Sequence, residues 1–404
     1  MFANIRRPEV LPIVLAAAGI LMVTMGIRQS MGLFISPINQ STGLGIATIS
    51  FALAIGQFAW GAIQPVAGAV ADRYGPKPVL QGGLVLLGLG CLLTAFVNSA
   101  WMLVLSAGLL AAIGSGAGSF SVLIGAAAQR LPADARGTAS GIINAGGSFG
   151  QFVFAPLLQK LIQWLGWMGA IGSMLLVALA TLPLVNKVTG QGVIADSANQ
   201  ATDGGLKQAV SHSLKDPSYL LLHAGFFTCG FHIAFLVTHL PGEVALCGLP
   251  ANVASWSLAI IGLANIAGSL LVGQLISKHR SKMILAVMYG SRSLLIIAYL
   301  LLPKTDWTFY AFAAGLGFTW LATVPPTASL VGKLFGTRYL GTLFGLTLLS
   351  HQVGGFLGAW LGGLAMVEFG NYQWMWMADI ALAAMAAVAN LPIREAQMRV
   401  SVAG

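Results

Sequence analysis

The sequence predicts an all-α polytopic membrane protein, with twelve transmembrane helices in two six-helix pseudo-symmetric lobes. Three observations carry this. Of 404 residues, 57 % are hydrophobic and only 8 % charged, against about 25 % charged in an ordinary soluble domain. Apolar residues gather in runs near 10–35, 46–70, 79–97, 101–128, 138–161, 167–185, 218–240, 253–276, 283–302, 307–331, 341–366 and 372–391. Each run is long enough for a helix to cross a hydrocarbon core of about 30 Å, and far longer than a barrel strand. Finally, the one long polar segment, 186–217, divides the runs six and six.

Taken in order, the first run follows Arg6 and Arg7 as a signal peptide would. It is too long for a signal h-region and eleven more runs follow, so it reads as a retained helix. The expected organisation is an N-terminal lobe over 1–186, a cytoplasmic linker over 187–217 rich in Gly, Ser, Asp and Gln, and a C-terminal lobe over 218–404. The formal charge of +9 needs no nucleic-acid partner. Of the 20 Lys and Arg, only Lys160 and Lys304 fall at the outer ends of the runs and Arg28 and Arg292 inside them; all others lie on the inner side if the N-terminus does. That is the positive-inside rule, and it predicts a multi-pass protein of the cell (inner) membrane with both termini cytoplasmic. Cys91, Cys229 and Cys247 share no metal-ligand spacing, and the chain lacks a P-loop and a His-Glu-x-x-His motif. No catalytic residue, metal or cofactor is expected, and the protein is not read as an enzyme. It is expected to be monomeric, with lipid and a small solute as its partners.

The two halves repeat weakly at a spacing of 204–205 residues. Gly68-Ala-Val-Ala-Asp72-Arg73-Tyr-Gly75-Pro-Lys77 lines up with Gly273-Gln-Leu-Ile-Ser277-Lys278-His-Arg280-Ser-Lys282, and Gly137-Thr138 with Gly341-Thr342. Parallel repeats joined by an inner loop are the mark of a two-lobed carrier. The first copy resembles the signature loop of the major facilitator superfamily, Gly-x-x-x-Asp-Arg-x-Gly-x-Lys/Arg. That resemblance implies the major facilitator fold and a conformational gate of Gly68, Asp72, Arg73, Gly75 and Lys77 that latches the inner side shut. Arg28-Gln-Ser-Met-Gly-Leu-Phe34, Gly137-Thr-Ala-Ser-Gly141 and Gly354-Gly-Phe-Leu-Gly358 are similar to the bacterial monocarboxylate and oxalate/formate carrier branch. Where that branch has cations, this chain has Ser269 and Thr347. Arg28 is then left as the principal cavity cation, which implies a monocarboxylate rather than a dicarboxylate.

Arg28 is the functional candidate that the residues themselves single out. It lies in mid-run, where an unpaired charge costs about 2.5–3.5 kcal/mol even on the lenient insertion scale. A carboxylate ligand suits its planar fork, and Thr24, Met31 and Ile35 share its helical face. The competing role is an ion pair with another span, but of the 11 acids only Asp379 lies inside a run. Arg292 is also mid-run and claims Asp379 as its structural partner. His232 occupies the repeat position of Arg28 and is expected to face it across the lobes. His351 and the adjacent Gln352 in the eleventh run, and Asn144 in the fifth, complete the expected substrate-binding set. Each histidine is equally readable as a hydrogen-bonded interior residue or as a proton carrier. Stripes of Gln57 with Gln64, of Asn144, Ser148 and Gln151, and of Asn265 with Ser269 fit either a watery cavity or interhelical hydrogen bonds. Gly114-Ser-Gly-Ala-Gly118 reads as close helix packing, and Pro325-Pro326 as a helix break at depth.

The expected function is secondary transport of a small organic anion by alternating access, through proton symport or anion exchange. The alternative is efflux of neutral drugs or metabolites. Cationic solutes are disfavoured by a cavity with an arginine and no acid.

Overall fold

A computed structural model describes residues 7–128, 130–189, 203–276, 278–336 and 340–395. Among these the chain is helical and contains no strand. The first half comprises α1 (Leu11–Gln29), α2 (Ile35–Thr42), α3 (Ile46–Tyr74), α4 (Pro76–Ala95), α5 (Ala100–Leu103), α6 (Ala112–Ala117), α7 (Phe120–Ala128) and α8 (Ala133–Thr189). After α9 (Asp203–Ser213) the second half comprises α10 (Pro217–Leu246), α11 (Ala251–Leu275), α12 (Ser281–Leu301), α13 (Asp306–Thr319), α14 (Val324–Phe335), α15 (Leu340–Phe369) and α16 (Gln373–Asn390). The segment expected to be a plain linker therefore holds an eleven-residue helix, α9; 190–202 lies outside the described residues.

Eight stretches are by themselves long and apolar enough to cross a membrane. One of them, 138–189, reverses at Gly166, whose φ of 68° interrupts the helix, and so crosses twice. With α13–α14, α15 and α16 this makes twelve crossings, spans 1 to 12. The helices follow from the solvent: in hydrocarbon each backbone N–H and C=O must be satisfied within its own segment. Leu176, Leu294 and Val287 point outward, between 66 and 69 % exposed, as lipid-facing residues do. Trp101, Trp164 and Trp307 all project at the end of the bundle away from the termini, where an aromatic belt would meet the headgroups. Between spans 2 and 3 the turn is a single residue. Gly75 has φ 88°, which L residues rarely adopt, and Pro76 opens α4 with its ring already set for a helix.

Within the first half α1 and α4 pack on α8, and within the second α10 packs on α15 and α12 on α16. The halves meet through α3 against α15 and α8 against α11. Away from the termini this contact is tight. A Cβ on Gly32 would strike the backbone of Val237 and Thr238, one on Gly363 would strike Ser50, and Phe51 sits edge-on to Phe356 and Trp360 at 6.1 and 5.6 Å. Toward the termini side, Gly68, Gly141, Gly273 and Gly345, two pairs related by the repeat, have nothing within 4 Å of an added Cβ. The halves are shut together at one end and parted at the other. Near the parted end a cavity of about 350 Å³ opens among Phe120, Asn144, Ser148, Ser269, Leu321 and Pro325.

Candidate functional site

Span 1 places Arg28 on the last turn of α1, just before the 3₁₀ turn Met31–Phe34. Its Nη2 donates to Gln57 Oε1, and its guanidinium lies 3.9 Å from the centre of the Trp60 ring. Gln57 and Trp60 are three residues apart on α3, so one helical face grips the guanidinium at edge and plane. Its Nε is buried without a partner. The ion pairs among the described residues are His232–Asp379, Lys333–Glu395 and Arg394–Asp216, and none includes Arg28. What results is a half-buried positive charge with its position fixed and donor capacity left over.

Around it lies a small cavity of about 50 Å³, enclosed by spans 1 to 4 and closed on one side by Val237 and Thr238 of span 7. At roughly 10–15 Å³ of such space per water, it has room for a few waters or for a carboxylate with a short tail. The wall from span 4, Ala107 and Ala111, belongs to a π-helical stretch, Val104–Ala111. Such widened turns often mark functional sites. Thr24 does not join this cavity: its hydroxyl donates to Gly118 O on span 4 at 3.2 Å.

The remaining expected site residues are not gathered around Arg28. Asn144 lines the larger cavity between the halves. Gln352 is buried against Gly61 of span 2. His351 packs on the Phe226 ring at 4.9 Å, with its Nδ1 unpartnered. His232, expected to face Arg28, instead places Nδ1 2.5 Å from Asp379 Oδ2 inside the second half. Asp379 is thereby taken, and the expected Arg292–Asp379 pair is not formed. Arg292 has another partner that the sequence did not suggest. Span 10 breaks between α13 and α14, freeing the carbonyls of Thr319 and Trp320, and Arg292 Nη2 donates to both, at 2.7 Å to Trp320. Its Nε donates to Thr319 Oγ1 at 3.2 Å and its Nη1 to Cys229 Sγ at 3.4 Å. A cation at a helix C-terminus opposes the negative end of the dipole, so Arg292 needs no carboxylate.

The polar stripes divide between the two roles left open for them. Asn265 Nδ2 donates to Ser148 Oγ across the halves at 2.7 Å, while its Oδ1 accepts from Leu321 N at the break in span 10 at 2.9 Å. Asn144 and Ser269 face the cavity. Gly114 and Gly116 lie where a side chain would strike spans 3 and 2, as close packing requires. Of the expected gate, Gly75 makes the turn, and Arg73 lies 5.2 Å from the Tyr74 ring; the side chain of Asp72 lies outside the described residues. The π-helical wall carries no signal in the sequence, and Trp60 reads there as either a pocket-shaping aromatic or a packing residue.

Comparison with known proteins agrees with this architecture. The sequence profile of the Major Facilitator Superfamily matches residues 16–359. Monocarboxylate transporter 13 of Rattus norvegicus is 28 % identical over 358 residues, 87 % of this chain and 81 % of that one. The oxalate:formate antiporter of Oxalobacter formigenes is 25 % identical over 374 residues, 89 % and 85 % of the two chains. The crystal structure of a D-xylose-proton symporter superposes with a TM-score of 0.77 at 14 % identity, covering 95 % of this chain and 98 % of that one; at that identity it speaks for the fold. With twelve crossings in two repeated halves and a family match over most of its length, the chain belongs to the Major Facilitator Superfamily and is an integral membrane transporter.

Proposed function

We propose that the protein carries a small organic anion, a monocarboxylate, across the cell membrane by alternating access, and that Arg28 is the group that binds the carboxylate. The observation that supports this most is the state of Arg28. It is a half-buried guanidinium held by the neutral Gln57 and Trp60, has no carboxylate partner among the described residues, and opens on a cavity sized for a short anion. A planar fork matches a carboxylate, and the low-dielectric setting strengthens the contact. The relatives named for monocarboxylate and for oxalate and formate transport favour the same substrate class.

With the termini in the cytoplasm, as the Lys and Arg distribution argues, the parted end faces inward and the form described is inward-open. The two lobes, taken as 1–186 and 218–404, rock about the contact between α3 and α15 and between α8 and α11. Asn144 meets the solute on its way through the inner cavity. The loop of Gly68, Asp72, Arg73, Gly75 and Lys77 closes that side in the other half-cycle.

Purified protein in liposomes tests the reading through uptake of labelled lactate, pyruvate and benzoate. Saturable uptake of lactate and pyruvate exceeding that of benzoate is expected, falling at least tenfold in Arg28→Gln. Equal uptake by wild type and Arg28→Gln would refute the assignment. No anion uptake by either would favour efflux of neutral compounds through the larger, mostly apolar cavity.

A further inference from the structure

We infer that His232 and Asp379 form a proton-binding site, separate from the anion site, and that the proton held there drives the anion; the inference rests on the anion reading above. Asp379 is the one acid within the apolar runs. It is fully buried, as is His232 to within 1 %, and a carboxylate at that depth persists only if paired or neutralised. Its Oδ2 meets His232 Nδ1 at 2.5 Å, yet Asp379 Oδ1 and His232 Nε2 are both buried without a partner. A purely structural pair at this depth would be expected to satisfy all four atoms. This one keeps an acceptor and a ring nitrogen in reserve, as a group that changes its protonation does.

The other titratable or charged groups on the helices packed about the pair are engaged elsewhere or lie at the membrane ends. On α10, Cys229 contacts Arg292 and Thr323, and His239 places Nε2 2.7 Å from Ala359 O. On α12, Arg292 is bound to the carbonyls of span 10, Tyr289 flanks that guanidinium, and Tyr299 donates to Glu243. His351 on α15 lies on Phe226. Tyr219, His223, Glu243 and Lys333 sit toward the ends of their helices. His232 is therefore the ionisable partner of Asp379 among the described residues.

The proton balance is simple. Unloaded, the pair is a carboxylate beside a neutral imidazole and carries one negative charge. Loaded, it keeps the Nδ1–H···Oδ2 bond, holds one more proton on the otherwise unpartnered Asp379 Oδ1, and is neutral overall. One proton enters the pair from one side of the membrane and leaves to the other, while the anion's charge is met at Arg28. The mechanical link is span 7 itself. His232 faces Asp379, and five and six residues on, Val237 and Thr238 close the Arg28 cavity and press on Gly32. At about 1.5 Å per residue, the proton site lies roughly 8 Å along that helix from the wall of the anion site. The His232 ring is also 6.0 Å from Trp320, at the break in span 10. Loading the pair thus acts on the helix that covers the anion and on the interrupted helix beside it.

The test compares wild type, His232→Gln and Asp379→Asn in liposomes under two regimes, lactate counterflow at equal pH and lactate uptake under an inward proton gradient. Both variants are expected to retain counterflow, which moves no net proton, and to lose gradient-driven accumulation, reaching only the equilibrium level. Accumulation by either variant as in wild type, or wild-type exchange indifferent to the gradient, would overturn the proton site and leave the anion reading standing. Absence of wild-type counterflow would count against the anion reading instead. Infrared titration of the purified protein then decides the proton site alone. A protonated-carboxyl band that changes with pH in wild type and is missing from Asp379→Asn supports it; no such band difference overturns it.

Discussion

Gln57 decides how much positive charge Arg28 has left for a ligand. A neutral amide accepts one hydrogen bond from the guanidinium and leaves its charge intact. Gln57→Glu would place a carboxylate in the same position, and its expected effects are opposite in sign for two measurements: lactate uptake falls at least tenfold, while the melting temperature in detergent rises or holds. Unchanged uptake would show that Arg28 does not bind the anion. Arg28 itself was legible because depth follows from position in an apolar run. Its partners were legible only in part: the Gln57 and Gln64 stripe marks a polar face on span 2, but not which side chain that face meets. The same ambiguity misassigned Asp379. Arg292, His232 and Asp379 share a depth, and only the azimuth of spans 7, 9 and 12 reveals which two meet.

At the scale of the element, two caps hold the second half in shape. Arg292 closes the C-terminal end of α13 where span 10 breaks. Arg292→Met would strand two buried carbonyls at about 1–3 kcal/mol each, and a loss of stability on the order of 3 kcal/mol is expected from thermal unfolding. The sequence pointed to the break through Pro325-Pro326 but said nothing of what would satisfy the freed carbonyls. At the start of α12, Glu395 accepts from Ser281 N and Lys282 N at 2.9 and 3.0 Å and pairs with Lys333 at 2.7 Å. Burial alone would raise its pKa, but the backbone N–H of Lys282, the Lys333 ammonium and Ser281 N–H together hold it below the ordinary carboxylate value. A carboxyl lowered in the folded state contributes stability above its unfolded pKa and loses it as pH falls through the folded one. Melting temperature should therefore drop as pH falls below about 4.3, and Glu395→Gln should lose about 1 kcal/mol at pH 7, the usual worth of a helix cap, with a flatter acid limb. An identical acid limb in the variant would contradict this.

For the whole molecule, contact between the halves is the quantity that changes during transport. The far side is closed by backbone approaching backbone, as at Gly32, whereas Gly68, Gly141, Gly273 and Gly345 face open space. Gly141→Leu should leave thermal stability within about 0.5 kcal/mol, as for an uncrowded position, yet slow uptake by obstructing closure of that side. Gly32→Leu should lower stability outright; the reverse pattern would mean that the described form is not a working state. The twelve spans and the two halves were legible because hydropathy acts locally. How the halves meet was not, because it depends on one lobe's position against the other, and that position is what alternating access varies.

The measurement that bears most directly on the central claim is equilibrium binding of labelled lactate and pyruvate to the purified protein, for wild type, Arg28→Gln and Gln57→Glu. Saturable binding to wild type, lost in both variants with their helical content and melting behaviour preserved, is the predicted result. Binding of equal strength in Arg28→Gln would contradict the account and place the anion, if there is one, elsewhere.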